Sequence, residues 1–291
     1  MFKVINRQVL ANGVRRLDIL AEPIARKIQP GQFVIVTITQ HGDKISLPVA
    51  EIDANRRSLV IIFRETDLAA QPLGRLQIDD EIFLVAGPYG NALKIEKLGT
   101  VACVADEMGI VQILPIVRAM KQVGNKVCSF LGARTKSGLI LQSQLRLASY
   151  KIFMATQDGS WERRGVPSDA LRDFLYKEKI EAVYVAGSVD LMQKVAEVTL
   201  PRKIKTWAQL NPPMLDGTGA CGSCRVTVDG RIRLACVDGP VFDAHGIDFE
   251  DYKIRINAFQ ESVWDNRLSL SSPQRNGSAI FGKFLSGILR K

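Results

Sequence analysis

The chain is 291 residues long, 46% hydrophobic and 24% charged, which is enough apolar material for two or three small folded domains and excludes a disordered or fibrous protein. Its apolar runs are too short to span a bilayer, and its first residues, MFKVINRQVLANGV, lack a secretory core and cleavage site, so the expected location is the cytoplasm. The net charge is +9, of which residues 253–291 contribute +5 (seven basic side chains minus two acidic). With no nucleic-acid motif present, that excess points to an acidic protein partner rather than to nucleic acid.

Residues 1–97 read as a small antiparallel barrel, because short apolar runs such as QFVIVTI, SLVIIF and EIFLVA are punctuated by Gly, Pro and Asp. From residue 98 to 204 the rhythm changes to alternating strands and helices. TVACVA, KVCSFLGA, KIFMAT and AVYVAGS read as buried strands. GIVQILPIVRAMKQVG, SGLILQSQLRLAS, VPSDALRDFLYKEK and SVDLMQKVAEVTL read as the helices between them. Such alternation predicts a parallel sheet covered on both faces. Residues 205–252 are glycine-rich and short-stranded and carry a cysteine cluster. Residues 253–291 form a basic tail. The fold class is thus β-barrel plus α/β, with a small C-terminal cysteine domain and a helical tail.

Five cysteines, an odd number, argue against a disulfide framework. Cys103 and Cys128 stand alone in strand-like runs and read as small buried hydrophobes. The others fall in DGTGACGSCRVTVDGRIRLAC with the spacing Asp216-x4-Cys221-x2-Cys224-x11-Cys236. Plant-type [2Fe-2S] proteins use C-x4-C-x2-C plus a distant fourth cysteine, and here a carboxylate, itself a hard anionic donor for iron, holds the first position. Gly217, Gly219 and Gly222 would let the backbone wrap closely around the sulfurs. A hairpin turning at Asp229-Gly230 would bring Cys236 back to its partners. The alternative is zinc held by the three cysteines with Asp216 or His245, although only one of the usual two C-x2-C knuckles is present.

With these motifs, residues 1–252 resemble the flavin-carrying small subunit of NADH-dependent ferredoxin:NADP oxidoreductase and the electron-transfer subunit of dihydroorotate dehydrogenase, both in the ferredoxin-NADP reductase-like group. The most specific stretch runs from Leu210 to Phe249; PGQFV at 30–34, AGPYG at 86–90, LGART at 131–135 and ATQDGS at 155–160 are weaker matches. The resemblance implies an FAD-binding barrel (1–97), an NAD(P)-binding α/β domain (98–204) and a [2Fe-2S] domain (205–252). It also implies cluster ligation by Asp216, Cys221, Cys224 and Cys236, and redox partner subunits of flavoprotein or ferredoxin-like type.

Three phosphate-binding elements depart from that family. Its flavin-gripping Arg, Pro-Leu or Pro-Ile, and Ser or Thr correspond here to Lys44-Ile45-Ser46-Leu47-Pro48. A lysine loses bidentate geometry, and proline offers no side-chain donor. The second flavin element corresponds to Arg64-Glu65-Thr66-Asp67-Leu68-Ala69, without glycine and with two carboxylates. The glycine run after the first strand of the α/β domain has become Ala105-Asp106-Glu107-Met108-Gly109, and a later Gly-Pro is Gly187-Ser188. Two unit charges at about 4 Å repel by roughly 4 kcal/mol at an effective dielectric of 20, about half of the roughly 8 kcal/mol that holds a micromolar ligand. NAD(P) binding is therefore not expected. FAD is left open, with Lys44, Ser46, Leu47, Gly87 and Tyr89 as its candidate contacts and Tyr89 able to stack on the flavin or adenine ring.

In the tail, Ile280, Phe281, Phe284, Leu285, Ile288 and Leu289 form one apolar stripe on a helix capped by Ser278, and segment 278–291 is expected to dock in a groove of a partner subunit. The sequence thus reads as an electron-transfer subunit of a multi-subunit oxidoreductase relaying single electrons through a [2Fe-2S] cluster, with no catalytic residues of its own. A working FAD-dependent NAD(P)H oxidoreductase subunit and a zinc-binding assembly protein are the alternatives.

Overall fold

A computed structural model describes residues 1–65 and 70–258 of the chain; segment 278–291 and most of 64–69 lie outside the described residues. The chain divides into two units, Met1–Tyr252 and Lys253–Lys291. In the second, residues 253–258 are helical. No described helix is long and apolar enough to cross a membrane.

The N-terminal part is a seven-stranded antiparallel sheet curled around its own core. It contains β1 (Phe2–Ala11), β2 (Val14–Leu20), helix α1 (Glu22–Ala25), β3 (Phe33–Thr37), β4 (Lys44–Asp53), β5 (Ser58–Arg64), α2 (Gln71–Arg75), β6 (Glu81–Ile82) and β7 (Leu84–Tyr89), in the spatial order β6-β1-β2-β5-β4-β3-β7. The period-two alternation of β2 and β5 explains the curl: Leu17, Ile19, Leu59, Ile61 and Phe63 all point into the barrel core. The opposite face of β5 is also apolar. Val60 and Ile62 join Val14 and Ala50 in the hydrophobic core of the α/β domain, so barrel and α/β domain are welded by buried hydrocarbon rather than joined by a linker.

That second domain contains β8 (Thr100–Asp106), α3 (Gly109–Gln122), β9 (Lys126–Ala133), α4 (Gln142–Ala148), β10 (Lys151–Thr156), β11 (Arg163–Arg164), α5 (Pro167–Leu175), β12 (Ala182–Ala186), α6 (Val189–Thr199) and β13 (Lys205–Gln209). The cysteine region adds β14 (Arg225–Val228), β15 (Arg231–Leu234) and β16 (Val241–Asp243). Strand order is β11-β10-β9-β8-β12-β13-β16, parallel except for β16. The strand order reverses between β8 and β12, and the crevice at their carboxyl ends is where open α/β sheets bind ligands. Helix α3 is buried on most of its circumference, including Ile110, Ile113, Leu114, Val117 and Met120, because it is sandwiched between the parallel sheet and β4 of the barrel.

Two elements differ from the sequence reading. The predicted helix beginning near Ser137 starts only at Gln142. Leu139, Ile140 and Leu141 are buried, and Leu141, at φ +57°, breaks the helical path. Residues 205–209, grouped by composition with the cysteines, are instead the next parallel strand, and Val241–Asp243 extends the same sheet. Both runs are too short to register as strands on periodicity alone.

The approach to β8 depends on one side chain. Asn125 Oδ1 accepts from the amides of Leu98 (2.7 Å) and Gly99 (3.0 Å), while Nδ2 donates to the carbonyls of Glu96 (2.8 Å) and Met120 (3.1 Å). Asn125→Ala strands these groups and is expected to cost about 2–4 kcal/mol, measured by urea unfolding; a loss below about 0.5 kcal/mol would contradict this role.

Candidate metal centre and nucleotide cleft

Strands β14 and β15 pair in the register Arg225↔Leu234, Val226↔Arg233, Thr227↔Ile232 and Val228↔Arg231. The turn residues Asp229 and Gly230 both have positive φ, +51° and +68°, as a tight two-residue hairpin turn requires. The hairpin carries Cys236 back beside Cys224: the amide of Ala235 donates to the Cys224 carbonyl at 3.0 Å, and the two Sγ atoms lie 3.2 Å apart. Both side chains are buried. This separation exceeds the roughly 2.05 Å of a disulfide, so the two sulfurs are a side-by-side thiol pair. Burial, and then the hydrogen bond with Cys224, push the Cys236 thiol up to about 12.

The other two predicted ligands are placed differently. Asp216 Oδ1 accepts from the Thr218 amide at 2.8 Å and Oδ2 from the Cys221 amide at 2.9 Å, and these bonds, the Thr218 amide foremost, hold its carboxyl below the usual range. Cys221 is exposed; its Sγ lies 3.2 Å from the Ser223 hydroxyl, which donates to the Pro213 carbonyl at 3.0 Å. The structure therefore brings Cys224 and Cys236 together and ties Asp216 to the backbone of Cys221. Among the described residues no three His, Cys, Asp or Glu side chains converge on one point.

The donor set nonetheless fits an iron-sulfur group. The two buried thiols flank the β14–β15 hairpin, and the exposed thiol and the carboxylate share a loop in which Gly217 and Gly219 have φ of +72° and +87°. A Cβ at Gly219 would come within 2.9 Å of Val237 and 3.2 Å of Leu234, so the backbone is held close to the Cys236 turn. Cys221, Cys224, Cys236 and Asp216 would hold such a group, the cysteines as thiolates. His245 is not a competing ligand: its Nε2 is 2.9 Å from Thr199 Oγ1 and its Nδ1 3.7 Å from Asp243.

The nucleotide cleft lies at the switch point, a cavity of about 470 Å³ lined by Arg64, Asp106, Glu107, Arg134, Ser188 and Lys194 among others. Asp106 is bound by the protein's own backbone and side chains. Its Oδ1 accepts from the Ser188 amide and its Oδ2 from the Ser188 hydroxyl, both at 2.6 Å, and Ser188 Oγ accepts in turn from the Leu191 amide at 3.2 Å, capping α6. A carboxylate of the protein thus occupies the positive end of a helix, the position that favours a phosphate. A Cβ at Gly187 would lie 2.0 Å from Asp106 Oδ1, so only glycine admits this arrangement. Glu107, at φ +47°, pairs with Arg64 of β5 at 2.7 Å, and an arginine that could have met a diphosphate is already neutralised. The sequence reading placed Arg64 in the second flavin element and Ser188 at the later Gly-Pro position, but it did not pair them with Glu107 and Asp106; the Ser-Val-Asp start of α6 was a readable N-cap signal.

The candidate flavin contacts lie on β4 and β7, the two strands that flank β3. Lys44 is exposed at the start of β4, Ser46 is half-buried, and the Leu47 side chain points into the barrel core, leaving only its backbone to meet a ligand. A Cβ at Gly87 would lie 3.2 Å from the Phe33 carbonyl. Tyr89 packs against Gly217 of the cysteine loop and beside Phe33, with ring centroids 5.8 Å apart. A separate cleft of about 340 Å³ runs between β4 and α3, past Gln32, Pro48, Gln112, Arg118 and Gln209. Gln112 and Gln209 are both 6% exposed, and their Oε1 atoms have no hydrogen-bond partner.

Residues 211–248 match the iron-sulfur cluster binding domain of dihydroorotate dehydrogenase B. Over 259 residues, 89% of this chain and 92% of the relative, the sequence is 32% identical to a Thermotoga maritima protein named dihydroorotate dehydrogenase B (NAD(+)), electron transfer subunit homolog. A Desulforamulus reducens dihydroorotate dehydrogenase B electron transfer subunit is 25% identical over 256 residues, 85% of this chain and 97% of that one. The fold superposes with a TM-score of 0.85 on a chain from the NADH-dependent reduced ferredoxin-NADP oxidoreductase structure, at 30% identity, covering 92% of this chain and 98% of that chain.

Barrel, switch-point sheet and cysteine loop together define an iron-sulfur electron-transfer protein on a ferredoxin reductase-like scaffold. Within that class the chain belongs to the family of dihydroorotate dehydrogenase B electron transfer subunits and their homologues. Nothing in these likenesses supports the zinc alternative.

Burial of Asp106 raises its carboxyl above the ordinary range, against the lowering effect of the Ser188 hydrogen bonds. Between the unfolded value of about 3.9 and the raised folded value, the native state binds more protons than the unfolded state. Stability contributed by Asp106 is therefore fully present below this window and falls as pH rises through it. Asp106→Asn removes the titration, so the variant should gain on the wild type as pH rises from about 4, measured by urea unfolding across a pH series. A difference independent of pH would refute the assignment.

Proposed function

We propose that this chain carries one [2Fe-2S] cluster on Asp216, Cys221, Cys224 and Cys236 and passes single electrons between partner redox subunits, without binding a nicotinamide nucleotide itself. The observation that carries the proposal is the buried Cys224–Cys236 pair, 3.2 Å apart, inside the segment that matches an iron-sulfur domain. When bound, such a cluster supplies a one-electron carrier whose potential depends on ligand charge, hydrogen bonds to sulfur and exposure to water. The chain's own contribution is to hold the donors. The hairpin fixes two cysteines in an apolar setting, and the glycine loop carries a third cysteine and a carboxylate. The Asp106–Ser188 and Glu107–Arg64 contacts support loss of the nucleotide site, since an incoming phosphate would have to displace one carboxylate and break the pairing of another.

On this reading residues 1–97 and 98–204 are a flavin-type barrel and a nucleotide-type domain retained as scaffold, 205–252 is the cluster domain, and 253–291 with its segment 278–291 engages a partner. The expected setting is a cytoplasmic complex with a flavoprotein or ferredoxin-like subunit. A second reading, in which the chain holds FAD, is favoured by the Gln112 and Gln209 amide oxygens left without partners beside the cleft between β4 and α3. Buried polar groups are normally satisfied, and the edge of a bound flavin ring would satisfy these.

Anaerobic purification with co-purifying partners, followed by assay of iron, sulfide, zinc and released flavin, tests these readings. The relay is expected to give about two irons and two sulfides per chain, with no flavin attributable to this chain. One FAD per chain would establish the second reading, and zinc without sulfide would overturn both. Asp216→Cys should retain the cluster and lower its midpoint potential, because thiolate donates more charge than carboxylate. An unchanged potential and electron paramagnetic resonance (EPR) spectrum would remove Asp216 from the ligand set.

A further inference from the structure

The cysteine loop does not stand by itself. The strap that ends β7, residues 89–91, touches both ligand-bearing segments, although more than a hundred residues separate it from them in sequence. On one side lies Gly217. A Cβ built there would fall 2.8, 2.9 and 3.0 Å from Cγ, Cδ1 and Cδ2 of Tyr89. Three neighbouring ring atoms at nearly equal distance mean that the Gly217 backbone sits over the ring face. On the other side lies the turn after Cys236. The Asn91 amide donates to the Gly239 carbonyl at 2.6 Å, and Asn91 Nδ2 donates to the carbonyls of Val237 at 3.0 Å and Asp238 at 3.1 Å. A Cβ at Gly90 would meet Pro240 Cδ at 2.7 Å. The strap is itself held by Gln32 Nε2, which donates to the Gly90 carbonyl at 2.8 Å, and by Phe33 beside the Tyr89 ring.

From this geometry we infer that Tyr89 and Asn91 are positioning residues for the cluster: the barrel sets the distance between the Asp216–Cys221 loop and the Cys236 turn through a flat ring under Gly217 and a side-chain amide clamping Val237 and Asp238. The inference rests on the cluster assignment proposed above. Asp216 precedes Gly217 and Cys236 precedes Val237, so each contact acts one residue from a proposed ligand. The Tyr89 ring also shields the loop backbone from water on the barrel side. Both effects bear on ligand geometry and solvent access, which govern how tightly a metal group is held and at what potential it works. The same contacts explain why position 217 is glycine. Its φ of +72° favours glycine, and the ring leaves no room for a side chain.

The test uses the full chain with its cluster and its co-purified partners. Tyr89→Phe, Tyr89→Ala, Asn91→Ala, Gly217→Ala and the double variant Tyr89→Ala/Gly217→Ala are compared by midpoint potential, EPR spectrum of the reduced cluster and half-life of the cluster in a chelator. Tyr89→Phe should match the wild type. Tyr89→Ala and Asn91→Ala should each lose the cluster about tenfold or more faster, in the range seen when residues supporting metal ligands are removed, with a displaced potential and altered EPR g-values. Gly217→Ala should be the worst single variant. The double variant should be less impaired than the sum of its parts, because removing the ring removes the steric clash. Wild-type potential, spectrum and chelator half-life in both Tyr89→Ala and Asn91→Ala would overturn the inference while leaving the cluster assignment intact. A wild-type chain that holds no iron and sulfide would overturn the cluster assignment itself. Should Tyr89→Ala fail to fold, Tyr89→Leu keeps apolar bulk without a flat face and is read by the same three measurements.

Discussion

The close approach of Cys224 and Cys236 is the contact on which the functional account depends. Two buried sulfurs 3.2 Å apart are an unfavourable resting place for negative charge. Iron supplies the positive charge that makes thiolates tolerable in an apolar setting. What brings the sulfurs together is a short hairpin whose turn needs two left-handed residues, supplied by Asp229 and Gly230. The remaining donors reside in a glycine-rich loop whose resting hydrogen bonds run from Asp216 to its own backbone. The donors thus fall into a buried pair on the hairpin and a second pair, Asp216 and Cys221, held by the glycine loop.

The second constraint is electrostatic. A switch-point cleft that binds a dinucleotide offers a helix N-terminus and free cations to phosphate. Here Asp106 occupies the N-terminal end of α6 through Ser188, and Glu107 neutralises Arg64. The scaffold is kept intact, with α3 buried between barrel and sheet and β5 apolar on both faces. Its cleft is lined by the protein's own anions. The large buried areas that stabilise the fold do not involve the phosphate loops, so the fold does not depend on a bound nucleotide.

Much of this was legible in the sequence. Alternating apolar runs gave the barrel, the change of rhythm near residue 98 gave the parallel sheet, and Asp216-x4-Cys221-x2-Cys224-x11-Cys236 gave the cluster segment, because spacing there is dictated by bond lengths around small inorganic ions. The acidic substitutions at Asp106 and Glu107 were also visible, but their partners were not. Ser188 lies on a different strand-helix junction and Arg64 on the barrel, and only tertiary folding sets them within hydrogen-bonding distance. The same holds for Tyr89, which by sequence is an aromatic available to a flavin. Its contact with Gly217 crosses between a barrel strand and the cysteine loop and leaves no local pattern. Five-residue β13 and three-residue β16 were hidden because so few residues cannot establish a period.

The central claim is that electrons enter this chain from a redox partner and not from a nicotinamide nucleotide bound in its own cleft. The most direct measurement is to mix the cluster-loaded chain, freed of partners, with NADH, with NADPH and with dithionite under anaerobic conditions, and to follow the visible absorbance and EPR signal. The account predicts reduction by dithionite and none by either nucleotide within the time of a catalytic turnover. Prompt bleaching of the cluster by NADH or NADPH would contradict it.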